Sequence, residues 1–301
     1  MATQTHSTSS CRLILLLAIL IIPAASLLSG CAISRGMAVG AMKPILVGAS
    51  DEILKSGDLQ TVGEGLPAQI LTLKGLAAGR PGDAGLAALA VQLHLFYAMG
   101  FVEGTDPAHA EILYKEGRDI GLRTFSRDAT FAEALRGGDL ELKKALSGVG
   151  RDKAELMLWT SACWAGWIGL NLNDPEAIAD LTLVEAMLDR TLELAPGTFH
   201  AMPLILRGAI YSMRPPILGG DPEKAREAFD EAFRMNERQF LLTQVYFAST
   251  YCKQVFDRDL FEKSLREVIA ASPDILPEVR LLNLLAKQQA EIWLARADDI
   301  F

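Results

Sequence analysis

The sequence predicts an all-α protein built as an array of paired helices. From about residue 50 onward, apolar residues recur with the period of a helix, and no segment alternates as a half-buried strand does. Prolines and glycines interrupt this periodicity at intervals. Small and aromatic residues also recur at fixed spacings. The predicted helices are 66–79, 84–102, 107–125, 152–172, 180–194, 201–213, 222–236, 239–255, 258–271 and 276–297.

Composition excludes several classes of protein. The chain has 301 residues, of which 50% are hydrophobic and 22% charged, and its formal net charge is -8. Such a length allows one large or two small domains with a substantial core. The high hydrophobicity and the lack of long charge blocks exclude disorder. The negative charge makes non-specific nucleic-acid binding unfavourable, because phosphates would be repelled. A polytopic membrane protein is excluded as well, because only one apolar run before residue 150 lacks polar interruptions. That run lies at the N-terminus.

The first thirty residues have the pattern of a secretory signal peptide. Arg12 precedes the apolar run 13–28, and small residues follow that run. The tetrapeptide Leu28-Ser29-Gly30-Cys31 resembles the bacterial lipoprotein box, in which the peptide is cut before the cysteine and the cysteine is acylated. The sequence therefore divides into a signal peptide (1–30), a lipidated linker (31–50) and a helical-repeat domain (51–301).

Two other interpretations of this N-terminus stay open. One is ordinary secretion, with a cut after Ala25 or Ser26. The other is an uncleaved anchor helix, although Pro23 and the shortness of the apolar run are unfavourable for spanning a bilayer. If the lipoprotein interpretation holds, Ala32 after the acylated cysteine resembles outer-membrane sorting, and the expected location is the periplasmic side of that membrane.

Two cysteines remain after the signal peptide and Cys31 are set aside. Cys163 and Cys252 both lie in strongly apolar helical segments. An oxidising compartment would allow them to pair, whereas two separate buried thiols fit the apolar surroundings at least as well. The sequence leaves both alternatives open.

The recurring small and aromatic residues predict the type of helical array. Gly208-x-x-Tyr211 is followed by Ala225-x-x-x-Phe229, and Ala98-x-x-Phe101 is followed by Ala110-x-x-x-Tyr114. Small residues let paired helices approach closely, and aromatic residues fill the space against the neighbouring pair. The spacing resembles the tetratricopeptide signature and predicts a degenerate array that ends in a capping helix within 276–301. An irregular helical bundle with chance matches is the alternative.

Helix starts and interruptions can also be located in the sequence. Asp106, Asp221 and Ser272 each precede a proline, which is typical of an N-cap followed by the first helical residue. The segment 125–151 reads as an insertion of two short helical pieces divided by Gly137-Gly138.

The sequence offers no catalytic or metal-binding constellation. It contains no G-x-S-x-G, H-E-x-x-H or P-loop motif. His94, His109 and His200 have no cysteine or histidine partner at metal-ligand spacing. The segment 63–68 loosely mimics a dinucleotide fingerprint, but it lacks a preceding strand and reads as a flexible approach to a helix. We therefore expect no enzyme activity, no cofactor and no metal.

Two features are candidates for ligand binding, and together they form one predicted binding surface. The uncharged stretch 156–172 contains Trp159, Trp164 and Trp167, of which the last two share a helix face and the first flanks it. A central buried helix explains this stretch, and so does a tryptophan-lined cavity or subunit interface. Arg214 begins a rigid turn that ends at Asp221, and it would pair with the carboxylate of a bound acid. An extended inter-helix turn is the plainer alternative.

The combination resembles the TatT family, the T component of tripartite ATP-independent periplasmic (TRAP) transporters. The resemblance covers roughly residues 45–272, and individual motifs are less specific than their order. Its landmarks are Tyr97-Ala98-Met99-Gly100-Phe101-Val102-Glu103, Leu158-Trp159, Trp164-Ala165-Gly166-Trp167-Ile168, Leu183-Val184-Glu185-Ala186-Met187-Leu188-Asp189-Arg190, His200, Arg214-Pro215, Gly219-Gly220-Asp221, Tyr246-Phe247-Ala248 and Phe261-x-x-x-Leu265.

The resemblance implies a lipid-anchored periplasmic protein without catalytic residues. It implies a homotrimer that works with the periplasmic solute-binding protein of a TRAP transporter. It also implies a small ligand, either hydrophobic or an organic acid. The alternative function is that of a tetratricopeptide-like lipoprotein scaffold in envelope assembly.

Overall fold

The computed structural model describes residues 40–214 and 219–301. Within these ranges the chain forms helices and no strand, which confirms the predicted all-α class. The chain divides into two compact units, Met1–Leu46 and Val47–Phe301. The predicted signal peptide and Cys31 lie outside the described residues.

The described helices match the predicted ones closely. Every predicted helix has a counterpart, and the insertion contains two short helices as expected. The helices are α1 (40–55), α2 (Leu59–Gly79), α3 (Ala84–Tyr97), α4 (Pro107–Phe125), α5 (Ala129–Gly137), α6 (Asp139–Ser147), α7 (Ala154–Leu170), α8 (Pro175–Ala179), α9 (Leu181–Leu194), α10 (Thr198–Met213), α11 (Pro222–Asn236), α12 (Leu242–Tyr246), α13 (Arg258–Ala270), α14 (Arg280–Ala295) and α15 (Ala297–Ile300). Helices α3 and α12 continue as π-helical segments, Ala98–Val102 and Phe247–Cys252 respectively.

Two N-terminal helices extend beyond the sequence-based expectation. Helix α1 begins within the stretch predicted as a linker. The segment 63–68, expected to be a flexible approach, is instead part of α2, so that expectation was wrong. Asp58 caps α2 by accepting a hydrogen bond from the Thr61 amide at 3.0 Å, and Leu66 is buried within it. Burial of an apolar face thus outweighs the low helix propensity of the glycines in this segment.

The predicted caps are present. Asp106 accepts from the His109 amide at 3.1 Å, and Asp221 accepts from the Lys224 amide at 3.0 Å. Ser272 caps the short 3-10 segment Pro273–Ile275 rather than a long α-helix. Each cap satisfies an amide that the first helical turn leaves without a partner. Sequence-local chemistry therefore sets these helix boundaries.

Helices that follow one another in the sequence pack on one another. Helix α3 contacts α2, α4 and α7; α7 contacts α9; and α10 packs on α9 and α11. The segment Ala84–Val102 is long and apolar enough to cross a membrane by length and composition, but 67% of that window is buried inside the protein. Its apolar character is therefore accounted for by its place in the core.

Glycines bring α4 and α7 unusually close together. A Cβ atom at Gly117 would lie 2.7 Å from the Cys163 sulfur, and one at Gly121 would overlap the Thr160 side chain. From the other helix, Gly166 accommodates the Tyr114 ring, which a Cβ atom would approach to 2.8 Å. Gly208 on α10 accommodates Phe229 of α11 in the same way, at 2.8 Å. The predicted contact of small residues with aromatic rings is thus present, whereas the tetratricopeptide-like geometry stays a prediction.

Replacing Gly121 with alanine should destabilise the protein by about 1 to 3 kcal/mol, because the added methyl group overpacks the α4–α7 interface. The matched control is Gly75→Ala on the exposed face of α2, where nothing lies within 4 Å of the added atom. That change should stabilise by about 0.5 to 1 kcal/mol through helix propensity. Urea unfolding of both variants measures the difference, and a Gly121→Ala protein as stable as wild type would contradict the close approach.

Candidate functional site

The structure places Trp159 in the interior. Its indole is 2% exposed and meets the Phe96 ring edge-on, with centroids 5.5 Å apart. The Phe199 ring lies on it at 4.8 Å, also edge-on. Trp159 is therefore part of an aromatic core cluster and does not face an open surface.

Trp164 and Trp167 share one face of α7, and Arg118 covers both. The Arg118 guanidinium lies 5.8 Å from the first ring and 4.9 Å from the second. The indole nitrogen of Trp164 donates to Asp180 at 3.0 Å, and that of Trp167 donates to Glu111 at 3.3 Å. Trp164 is buried and Trp167 half-buried. Only Trp167 of the three predicted tryptophans thus has its ring partly accessible.

Arg214 lies at a different place, in a cleft of about 290 Å³ between α6, α9 and α10. Among the described residues that line this cleft there is no tryptophan. The tryptophans and Arg214 are predicted to form one binding surface, and of these residues Arg214 alone is among the described residues that line the cleft. The lining residues of this α6–α9–α10 cleft are Lys143, Thr182, Glu185, Asp189, Arg207, Tyr211, Arg214 and Gly219.

Ion pairs join the two longer helices across the cleft. Arg214 pairs with Glu185, and Arg207 pairs with Asp189. The Arg207 guanidinium also lies over the Tyr211 ring at 4.9 Å. Burial, and secondarily the neighbouring Glu185, raise the pKa of Asp189 above its ordinary value, although Arg207 opposes the shift. The guanidinium of Arg214 is thus already partnered inside the protein.

Sequence reasoning singled out Arg214 and missed its partners. The cleft residues of α9 recur at i, i+3 and i+7, and those of α10 recur at i, i+4 and i+7. Each set therefore occupies one helix face. The face of α9 carries acidic residues and the face of α10 carries arginines. This pattern of opposite charges on two helices is a sequence signal that could have identified the cleft.

A second candidate region surrounds Met99, in the π-helical segment Ala98–Val102. The Tyr246 hydroxyl, at the end of α12 and next to the other π-helical segment, lies 3.4 Å from the Met99 sulfur. The Tyr114 hydroxyl donates to the Glu103 carboxylate at 2.5 Å. Burial, and secondarily this carboxylate, raise the pKa of Tyr114 well above its usual value, so the hydroxyl stays a donor. We call Met99, Glu103, Tyr114 and Tyr246 the π-helix junction.

A model of the TRAP transporter T-component family (TAtT) matches residues 55–301, which is most of the chain. The chain belongs to the TRAP transporter T-component family. An uncharacterized protein of Treponema pallidum (strain Nichols) is 24% identical over 263 residues, which cover 81% of this chain and 80% of that protein. The family is a transport accessory component rather than an enzyme family, and membership indicates an envelope location and association with a TRAP transporter.

The thiols of this T-component are buried and separate. Cys163 and Cys252 are free, which decides the alternative that the sequence left open. Burial raises the pKa of Cys252 to about 12 and raises that of Cys163 as well, so neither forms a thiolate near neutral pH. Within residues 40–214 and 219–301, no group of three or more His, Cys, Asp and Glu side chains could hold a metal ion.

His94 is the most buried titratable group of the α3–α4 contact. Its Nδ1 donates to the Ala90 carbonyl at 2.7 Å, so Nε2 carries a lone pair in the neutral ring. That Nε2 lies 3.5 Å from the Glu116 carboxylate, which in turn pairs with Lys74 at 2.7 Å. The distance to Glu116 is too long for a good hydrogen bond, and Nε2 has no partner. Burial therefore dominates and lowers the pKa of His94, despite the nearby carboxylate.

The free energy of unfolding should fall as the pH drops below about 6.5, because the unfolded chain then binds a proton that folded His94 does not bind. One such group contributes at most about 1.4 kcal/mol per pH unit. His200 acts in the same direction, because burial lowers its pKa too. Denaturant unfolding between pH 5 and pH 8 should give a shallower pH dependence for His94→Gln than for wild type. His109→Gln, on the exposed start of α4, is the control; equal slopes for wild type and His94→Gln would contradict the assignment.

Proposed function

We propose that this T-component is a periplasmic lipoprotein that binds or passes a small ligand together with the solute-binding protein of a TRAP transporter. The family match over residues 55–301 supports the transport role. The tetrapeptide Leu28-Ser29-Gly30-Cys31 supports a lipid anchor through acylated Cys31, on the outer membrane. We further propose that the protein is a homotrimer and that its sequential helix pairs are degenerate tetratricopeptide-like units.

The π-helix junction carries the ligand part of the proposal. Met99 and Tyr246 are half-buried, whereas Glu103 is exposed and engages the buried Tyr114 hydroxyl. Small-molecule sites combine a mostly apolar wall with a few placed polar groups. A thioether adapts to irregular apolar ligands, and π-helical turns often occur at functional sites. The junction therefore suits a small, mainly hydrophobic ligand.

The three tryptophans differ in how directly they would sense a ligand bound at the π-helix junction. Gly166 on α7 receives the Tyr114 ring, so the half-buried Trp167 follows directly after a residue that touches the junction. A bound ligand would change the surroundings of Trp167 first, because Trp159 and Trp164 are 2% and 4% exposed. Arg214 belongs to the α6–α9–α10 cleft and offers a polar anchor there.

An envelope-assembly scaffold is the second candidate function. The packing of consecutive helices favours it, because helical arrays commonly present extended surfaces to other proteins. A scaffold has no need of a small ligand. Ligand titration of the purified protein therefore discriminates between the two functions.

Replacing Cys31 with alanine should release the protein from the membrane, or leave it unprocessed, because no acyl chains would then hold it. Two or three chains give stable anchoring, whereas one gives marginal binding. Detergent phase partitioning and intact mass measure the change. Identical partitioning and identical mass for wild type and variant would exclude acylation at this position.

Medium-chain ligands should bind at the π-helix junction and change the tryptophan fluorescence. We expect octanoate and the neutral 1-octanol both to saturate the wild-type protein, because the alkyl chain supplies the buried apolar area. Met99→Gln should weaken both by about tenfold, which corresponds to roughly 1.4 kcal/mol of lost apolar contact. The matched control is Met235→Gln, at a 37% exposed position of α11. The absence of saturable binding, or equal affinities for wild type and Met99→Gln, would contradict the ligand site.

A further inference from the structure

We propose that the first turns of helix α1 lie on the membrane surface, with the side chains of Met42 and Ile45 inserted among the lipids. The inference rests on the proposed acylation of Cys31, which attaches the mature chain to that membrane. The partner of α1 is the lipid leaflet that holds the acyl chains. The helix is then a second point of attachment, beside the lipid anchor itself.

The first observation is a pair of large apolar side chains that are open to solvent. Met42 is 42% exposed and Ile45 is 71% exposed. They are three positions apart on α1, so they are neighbours on the helix surface. Leu46 and Leu54 of the same helix are buried, at 7% and 8% exposure. Burial in the protein therefore accounts for the apolar character of Leu46 and Leu54, but not for that of Ile45.

The second observation is the distance along the chain between these side chains and the lipid anchor. Met42 follows Cys31 by eleven positions. Because an extended chain spans at most about 3.6 Å per residue, Met42 lies within about 40 Å of the acylated residue. Among the residues that the structure describes, exposed large apolar side chains outside α1 begin only at Leu71. The exposed apolar side chains of α1 are therefore the ones that the anchor keeps nearest to the bilayer.

This tether decides how strong the membrane contact of α1 needs to be. The binding of an interfacial helix increases with the apolar area that it buries, and two side chains give only a weak contact. A second contact on a molecule that is already attached is intramolecular, and its effective concentration is high. The weak contact of Met42 and Ile45 is therefore populated once acyl chains hold Cys31 in the bilayer.

The third observation is the distribution of charge along α1. Residues 40–50 contain one charged residue, Lys43. The last five residues of the helix contain three, Asp51, Glu52 and Lys55. A net charge of -8 gives the chain as a whole no attraction to anionic lipids, so the contact has to be apolar. Insertion of the first turns of α1 takes no carboxylate out of water, whereas insertion of its end would.

Fluorophores attached to single introduced cysteines test the proposal. The sample is the full-length acylated protein in vesicles of phosphatidylethanolamine and phosphatidylglycerol, with the label on Met42→Cys or Ile45→Cys. The two native free thiols, Cys163 and Cys252, are buried and therefore react poorly with the label. We expect a blue-shifted emission at both introduced positions. We also expect a loss of fluorescence when the lipids carry bromine on their acyl chains.

Two control positions show whether quenching is specific to this face. Asp51→Cys lies about 180° around α1 from Met42, and Leu71→Cys is at a 67% exposed position of α2. The proposal requires stronger bromine quenching at Met42 and Ile45 than at both controls, and any other order overturns it. A label at Ile45 that is shielded from aqueous iodide but not quenched by bromine indicates a protein surface, such as a second copy of the chain. That result overturns the proposal as well.

Intact mass distinguishes failure of this inference from failure of the proposed anchor. Protein without acyl chains on Cys31 contradicts the lipoprotein function, and the membrane contact of α1 is overturned with it. Acylated protein whose Ile45 label is not quenched keeps the lipoprotein function and overturns the membrane contact alone.

Discussion

The close approach of α4 and α7 is the constraint on which the rest of the structure depends. Gly117 and Gly121 are one turn apart on α4 and meet α7 where side chains larger than hydrogen do not fit. On α7, Gly166 leaves room for the Tyr114 ring. Because Tyr114 is held there, its hydroxyl meets Glu103 at the end of the first π-helical segment. A packing requirement in the core therefore sets the position of a polar group at the proposed ligand surface.

Much of this fold could be predicted from the sequence because its signals are local. Asp106 and Asp221 before prolines mark helix starts. Each accepts a hydrogen bond from the backbone amide of the residue three positions later. Helix interiors follow from the apolar period. The π-helical segments Ala98–Val102 and Phe247–Cys252 could not be predicted in this way, because a one-residue shift in hydrogen bonding leaves the apolar period of so short a segment almost unchanged. The contact of Gly100 with a distant residue could not be predicted from a local signal either: a Cβ atom there would lie 2.6 Å from the Leu285 side chain.

The candidate site was harder to predict than the fold. Helical geometry placed Trp164 and Trp167 on one face, and Arg118 covers both. The same geometry could not show that Trp159 faces inward, since that depends on Phe96 and on the distant Phe199. Arg214 was identified by its turn, but Glu185, its partner, is 29 residues away. Pairing between two helices depends on their packing angle, which the sequence of neither helix specifies.

The buried Trp159 has a structural role through its contact with the distant Phe199. Phe199, His200 and Ala201 all have left-handed backbones, with φ of 46°, 56° and 65°. Such a conformation costs about 1 to 2 kcal/mol per residue for side chains other than glycine. The Phe199 ring offsets this cost by packing edge-on against Trp159 at 4.8 Å, and the Asn236 side chain donates to the His200 carbonyl at 3.2 Å. The aromatic cluster thus stabilises a strained turn at the start of α10.

That turn matters because α10 carries the arginines of the α6–α9–α10 cleft. At its other end, the Gln254 amide donates to the carbonyls of Tyr211 and Arg214 at 3.3 and 3.2 Å. Helix α10 is therefore held at both ends by contacts outside its own sequence. Arginines on a helix fixed in this way keep their guanidinium planes in place against Asp189 and Glu185 of α9. The buried Trp159 thus contributes to the cleft from a distance, through the rigidity of the helix that carries Arg207 and Arg214.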